Sequence, residues 1–159
     1  MLDLTPEIFT MTEIVYRLGT ATLLGMVLGV DREVRGFVSG MRTHALVAVS
    51  SAAITLSALM IFEAVRATEG EPGVDPLRVI QGLAQAIGFI AAGGIFVSQG
   101  SVRNLTTAAN LWLAASVGIA AGAAQYGLAV IGTGLGVFIV TVVWLAELLL
   151  PWSPKSRED

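Results

Sequence analysis

The chain has no cysteine and only one histidine, His44, among its 159 residues. Without cysteine there can be no disulfide bonds, thiolate metal sites or cysteine nucleophiles. A single histidine also excludes a metal site built from several imidazoles of one chain. Charged residues are scarce, at 13%, whereas a soluble domain carries about 25%. The net charge of −3 leaves no basic surface that would indicate nucleic-acid binding.

What the chain has in excess is apolar residues, which make up 55% of it and give a mean hydropathy of +0.78. Five apolar runs are long enough to cross a bilayer core as a helix of about 20 residues. They cover residues 13–30, 43–65, 77–97, 105–124 and 127–150. The sequence therefore predicts an all-α integral membrane bundle, a single transmembrane domain over 1–159. An alternative merges or half-inserts the last two runs, because only AAQYG joins them.

Lysine and arginine are distributed unequally between the two sides of the predicted bundle. The first and third connectors and the tail carry Arg32, Arg35, Arg42, Arg103, Lys155 and Arg157. The other side carries only Arg66 and Arg78. Because basic residues concentrate in cytoplasmic loops, we expect the N-terminus outside and the C-terminus in the cytoplasm.

Small or polar residues line one face of four of the five predicted helices. Such faces mark helix contacts in a bilayer, where no hydrophobic force drives helices together. The row Ala21, Gly25 and Gly29 leads back to Arg17, which we expect to point into the bundle or to reach the outer interface from it. The predicted polar interior comprises Arg17, Ser51, Thr55, Gln81, Gln85, Asn104, Thr107 and Asn110. Tight packing and a polar-lined ion path both require this pattern.

Charge is densest in LGVDREVRGFVSGMRTHALVAV, residues 28–49. A candidate ion-pair or cation site there comprises Asp31, Arg32, Glu33, Arg35, Arg42 and His44. Asp31 precedes Arg35 by four residues, the favourable order for a helical ion pair. Asp31 and Glu33 are a candidate metal pair that would hold Mg²⁺ through its water shell. The neighbouring arginines favour instead an ion-pair network, an anionic lipid or a protein partner.

A second polar segment, Arg103 to Asn110, lies at the start of the fourth predicted helix. Free backbone N–H groups at a helix N-terminus attract negative charge. We therefore expect Asp31 or Glu33 to meet this helix start. A solvated, self-paired charge cluster is the simpler alternative.

The segment LLGMVLGVDREVRGFVSGMRTHALVAV resembles the signature region of the MgtC/SapB family. DPLRVIQGLAQAIGFIAAGGIFVSQGSVRNLTTAANLWLAASVGIAAG is similar to a second family segment. The resemblance implies a bacterial inner-membrane protein with five membrane helices. It also implies a role under magnesium limitation, by restraint of the F-type ATP synthase rather than by carrying Mg²⁺. Because the sequence ends at Asp159, the likeness is to the short, membrane-only form without the C-terminal soluble domain.

Three functions follow as alternatives. The first is a non-enzymatic regulator of another membrane protein, acting through its charged cytoplasmic face. The second is a cation transporter or channel, with Asp31 facing a polar path along Gln85, Asn110 and Thr55. The third is a structural or lipid-organising protein. We expect no enzyme, because no nucleophile–base pair is evident, and no cofactor other than possible Mg²⁺. We also expect a homo-oligomer, because the Ala21, Gly25 and Gly29 row and the glycine-rich fifth helix can pack between protomers.

Overall fold

The structure is a computed structural model that describes residues 9–37, 39–69, 73, 75–98 and 101–149. It contains five α-helices and one two-stranded antiparallel hairpin. The helices are α1 (Met11–Val34), α2 (Met41–Glu69), α3 (Leu77–Gly94), α4 (Leu105–Gly122) and α5 (Tyr126–Leu149). The hairpin strands are β1 (Phe96–Ser98) and β2 (Ser101–Arg103). All five helices are long and apolar enough to cross a membrane, which confirms the predicted five-helix membrane bundle.

Several helix boundaries differ from the predicted spans, and two of the differences lie near the candidate site. α1 continues to Val34 and so includes the charged segment DREV. α3 ends at Gly94 rather than at residue 97, and the hairpin follows it. Its strands pair Phe96 with Arg103, which fits extended backbone rich in β-branched and aromatic residues. Asn104 then adopts a left-handed conformation, with φ of 67°, as the chain turns into α4.

Three helices, α1, α2 and α4, form the centre of the bundle. Ala48 of α2 is fully buried between Gly25 of α1 and Gly118 of α4. A Cβ atom added at Gly25 would lie 2.8 Å from the Ala48 Cβ, and one at Gly118 would lie 2.9 Å from its Cα. The helices therefore approach until backbone meets side chain, which only small residues permit. The predicted Ala21, Gly25 and Gly29 row is buried within the protomer, so it is not free to pack between protomers.

The remaining two helices lie at the periphery. In the α4 span 61% of residues are buried, against 17% in the α3 and α5 spans. α3 packs mainly on α4, and Gly88 leaves room there for the Trp112 ring. The uncovered surface is largely apolar, with exposed side chains such as Leu23, Ile131 and Phe138. A surface of this kind contacts the lipid bilayer.

Because the helices cross the bundle in alternating directions, connectors and helix ends collect at its two ends. The α1–α2 connector, the β-hairpin and the start of α4 meet at one end, which we name the hairpin end. The start of α1, the end of α4 and the start of α5 meet at the other, the Arg17 end. Both ends hold buried or half-buried polar side chains, and the stretch between them is dominated by alanine, glycine and leucine.

Candidate functional site

At the hairpin end, successive residues in the last turn of α1 contact three different helices. Arg32 reaches α4, Glu33 reaches α2, and the pair of Asp31 and Arg35 reaches α5. Consecutive side chains on a helix point about 100° apart, so one charged turn can address several neighbours. The charge in the connector therefore serves first to hold the end of the bundle together.

Arg32 is the most deeply placed of these side chains, with 6% of its surface exposed. Its Nη2 donates a hydrogen bond to Thr107 Oγ1 in the first turn of α4. Its guanidinium carbon also lies 3.4 Å from the centroid of the Phe37 ring. A cation over an aromatic face is stabilised by the ring quadrupole, more strongly when water is excluded. Closer to the centre of the bundle, Asn110 Nδ2 of α4 donates to the carbonyl of Leu28, which lies one turn before Arg32 on α1, at 3.1 Å.

Glu33 stabilises the beginning of α2. Its Oε2 accepts the backbone N–H of Met41, the first residue of that helix, at 3.0 Å. The unpaired N–H groups and positive dipole at a helix N-terminus favour such a carboxylate. A Cβ at Gly40 would displace the Glu33 carboxylate from this position, so glycine there leaves room for the contact.

Asp31 is paired within its own helix, as the spacing indicates. Arg35 Nε donates to Asp31 Oδ1 at 2.7 Å, and the Arg35 guanidinium lies 4.7 Å from the centroid of the Trp144 ring of α5. The second oxygen, Asp31 Oδ2, is buried and has no partner in the described part of the chain.

The expected contact between an α1 carboxylate and the start of α4 is wrong, because Arg32 makes that contact. Thr107 presents a hydroxyl oxygen, which accepts from the guanidinium without any desolvated carboxylate being needed. The two carboxylates of the candidate metal pair also point to different neighbours, since residues two apart on a helix do not face each other. Asp31 and Glu33 thus fit poorly as joint Mg²⁺ ligands. The described residues form no group of three His, Asp or Glu side chains with metal-site spacing.

His44 is fully buried in the first turn of α2. Its Nδ1 lies 2.8 Å from the Gly40 carbonyl, and a carbonyl can only accept, so Nδ1 is assigned the hydrogen. Its Nε2, like the hydroxyl of Ser51 two turns on, has no partner among the residues described here. Thr55 donates to the Ser51 carbonyl at 2.8 Å. In contrast Arg42, two residues after Gly40, is exposed.

Asn104 and Thr107 lie beside a cavity of about 240 Å³ at this end. Asn104 Nδ2 donates to the Gly94 carbonyl at 3.0 Å and so joins the end of α3 to the start of α4. Ser39 and Thr43 add hydroxyl groups to the lining, and the rest is apolar. Both Asn104 and Thr107 are half-buried, so they bridge helices at the edge of the bundle.

The predicted inward placement of Gln81 and Gln85 is wrong. α3 buries Leu83, Ile87 and Ala91 instead, and both glutamines are exposed on its other side. The cause is that α3 packs on the other helices through its large apolar residues. Its polar stripe therefore faces away from the bundle.

The Arg17 end holds a second network, centred on a buried arginine. Arg17 Nη1 donates to the Gly122 carbonyl at 2.9 Å, where α4 ends, and its Nε donates to Glu13 Oε1 at 2.9 Å. The Tyr126 hydroxyl donates to the same Glu13 oxygen at 3.2 Å. Sequence reasoning found Arg17 but missed Glu13 and Tyr126. Their signal was available, since Glu13 lies four residues before Arg17 and Tyr126 opens α5.

Five apolar helices, two buried terminal networks and a lipid-facing surface define a multi-pass membrane protein. The sequence model of the MgtC family matches residues 18–147, which include every contact described at the hairpin end. The chain belongs to the MgtC family.

Proteins of three bacterial species are among those similar to this chain. Over 130 residues it is 32% identical to "Putative magnesium transporter YhiD" of Escherichia coli K12, covering 82% of this chain and 60% of that protein. It is 37% identical over 120 residues to Protein SapB of Bacillus subtilis, covering 72% and 49% of the two chains. It is 37% identical over 125 residues to Protein MgtC of Brucella abortus, covering 79% and 48%. The chain thus spans about half to three fifths of these relatives. No solved structure matches it.

Proposed function

We propose that this chain is a non-enzymatic membrane protein that regulates another membrane protein during adaptation to low magnesium. The observation that carries the proposal is that the charged side chains at the end of α1 are bonded within the protein. Arg32 bonds to α4, Glu33 bonds to the start of α2, and Asp31 pairs with Arg35. These charges stabilise one arrangement of the bundle end. A rigid charged end suits recognition by a partner, whereas a conduction site needs groups that converge on an ion.

The proposal places the protein in the bacterial inner membrane with the hairpin end in the cytoplasm. The positive-inside rule supports this orientation, because Arg35, Arg42 and Arg103 lie at that end while Arg66 and Arg78 lie at the other. The family resemblance suggests the F-type ATP synthase as the partner. Arg42 is the natural contact residue, because it is exposed and makes no described bond that it would have to break.

Co-reconstitution with a bacterial F-type ATP synthase in proteoliposomes tests the regulator. We expect the wild-type chain to lower the rate of ATP synthesis driven by an imposed proton gradient. Arg42→Ala should raise the amount of protein needed for half-inhibition roughly two- to fivefold, as expected for loss of one exposed ion pair. Arg78→Ala is the matched control, since Arg78 is also an exposed first-turn arginine but lies at the Arg17 end. Full ATP synthesis at every protein ratio would refute this partner.

Transport of Mg²⁺ or another cation is the second candidate. The Asp31 Oδ2 atom, which has no partner among the described residues, and the name of the Escherichia coli relative favour it. Against it, the residues of the suggested path are dispersed: Gln85 is exposed on α3, while Thr55 and Asn110 bond to backbone carbonyls. Cation flux into liposomes holding wild-type or Asp31→Asn protein separates the two candidates. Cation flux in the wild type that is abolished by Asp31→Asn would overturn the regulator proposal. Absence of flux from folded protein would exclude the transporter proposal.

A further inference from the structure

The outward face of α3 carries an amide at the middle of the helix. Gln85 is the ninth of the eighteen residues of α3 and is exposed. It lies two residues from the buried Ile87, which is about 200° around the helix. Its side chain therefore points directly away from the protomer, at the depth where lipid tails would otherwise surround it.

Lipid is a poor environment for this side chain. The amide has two donors and an acceptor oxygen, and hydrocarbon satisfies none of them, so polar side chains within membrane spans usually face protein or water. Gln81 repeats the problem one turn earlier on the same face. A face with two unsatisfied amides is unlike the leucine-, valine- and phenylalanine-rich outer surface of α5.

Glycines on this face have no packing role inside the protomer. A Cβ added at Gly82 or Gly93 would meet no atom of the chain within 4 Å. Glycine nevertheless costs a helix about 1 kcal/mol relative to alanine. In membrane helices small residues allow a neighbouring backbone to approach closely. The central glycines Gly25 and Gly118 show such approach within the protomer. At Gly82 and Gly93 the space beside the helix is open to a neighbouring molecule.

We propose that Gln81, Gly82, Gln85 and Phe89, the glutamine face, form a two-fold interface with the same face of a second copy. The occupant is identified by the chemistry of the amide. A side chain that both donates and accepts can pair with its own symmetry mate, so an isologous dimer satisfies Gln85 with Gln85 and needs no other residue. The face is uncharged, and a different partner would need its own polar group at the same depth. Phe89, 82% exposed, supplies apolar contact beside the amides.

Cysteine cross-linking tests this interface with no background, because the natural chain contains no cysteine. The variant Gln85→Cys is purified, reconstituted in liposomes at low protein density and oxidised. We expect a disulfide-linked species of twice the 16.6 kDa chain mass, forming at least several times faster than with Phe138→Cys. Phe138 is the control because it is exposed near the middle of α5 on a largely apolar surface. Gln81→Cys provides a second probe of the same face.

Gln85→Leu tests the hydrogen bond itself. Energy transfer between labelled copies in liposomes measures the dimer dissociation constant, which we expect to rise roughly three- to twentyfold, the range for one interhelical hydrogen bond in a membrane. Phe138→Leu should leave it unchanged. Equal cross-linking rates at positions 85 and 138 would show random collision and overturn the dimer. An unchanged dissociation constant in Gln85→Leu would overturn the amide pairing. Oxidation of Gln85→Cys in native membranes that linked it only to a different membrane protein would overturn the second copy as occupant.

Discussion

Gly118→Ala is the substitution whose effect follows most directly from the packing of the three central helices. A Cβ at this position would collide with the Ala48 carbonyl and lie 2.9 Å from its Cα. Both atoms belong to the α2 backbone, so no side chain can rotate to make room. Overpacking of this kind typically destabilises a protein by about 1–3 kcal/mol. Separation of α2 from α4 would also loosen the α1 contact, because Gly25 packs on the opposite side of Ala48.

Gly134→Ala is the matched control. Gly134 lies within α5, and a Cβ there meets nothing within 4 Å. Both substitutions bring the same gain in helix propensity, up to about 1 kcal/mol, so the difference between the two variants isolates the collision. We expect Gly118→Ala to be less stable than Gly134→Ala by about 1–3 kcal/mol.

Reversible unfolding in detergent micelles by titration with dodecyl sulfate measures this difference. Circular dichroism reports loss of helix. Tryptophan fluorescence, measured with Trp144 and Trp152 replaced by Phe in both variants so that only Trp112 of α4 emits, reports the separation of α4 from the bundle. Equal unfolding midpoints for the two variants would refute the close α2–α4 approach. The same result would also remove Ala48 as the point where three helices meet.

Two further predictions concern the buried arginines, with the same unfolding assay as the readout. Arg32→Ala and Thr107→Val should each lower the free energy of unfolding by about 1–3 kcal/mol, because each removes the hydrogen bond between these two side chains. The double variant should lose less than the sum, and strict additivity would show that the two side chains do not interact. Arg17→Leu should lower the free energy of unfolding by about 1.5–3 kcal/mol, because the charge-assisted bond to the Gly122 carbonyl is lost. Glu13→Gln leaves that bond intact and should have a smaller effect. Equal losses for Arg17→Leu and Glu13→Gln would mean that the bond to α4 contributes nothing.

The fold was largely predictable because five apolar runs of membrane length allow few other structures. The end of α3 was not, since Ile95, Phe96 and Val97 extend the apolar run whether they are helical or in a strand. Short strands of three residues leave no periodicity to read. The helix ends at Gly94, directly before the hairpin pairing, which is a property of the folded chain.

For the candidate site, the sequence indicated a charged segment but not the contacts that its side chains make. Charge density pointed to the DREV segment, yet it could not tell which of three consecutive residues would face α4. The rotation of α1 about its axis decides that, and tertiary packing sets the rotation. The predicted inward placement of the α3 glutamines was wrong for another reason. The rule that polar stripes face inward assumes that every neighbour belongs to the same chain, and the polar face of α3 lies outside the protomer.

The spacing of the two buried arginines along α1 has a consequence for the membrane around the protein. Arg17 and Arg32 are fifteen residues apart, which is about 22 Å of helix, whereas the hydrocarbon layer of a typical bilayer is about 30 Å thick. Both guanidinium groups are bonded inward, to Gly122 and Thr107, so neither can extend fully towards the lipid headgroups. A bilayer that thins beside α1, or that admits water there, brings solvent closer to these buried charges. A thicker, more ordered membrane resists such thinning and would destabilise the bundle, so bilayer thickness acts on the same contacts that hold α1 against α4.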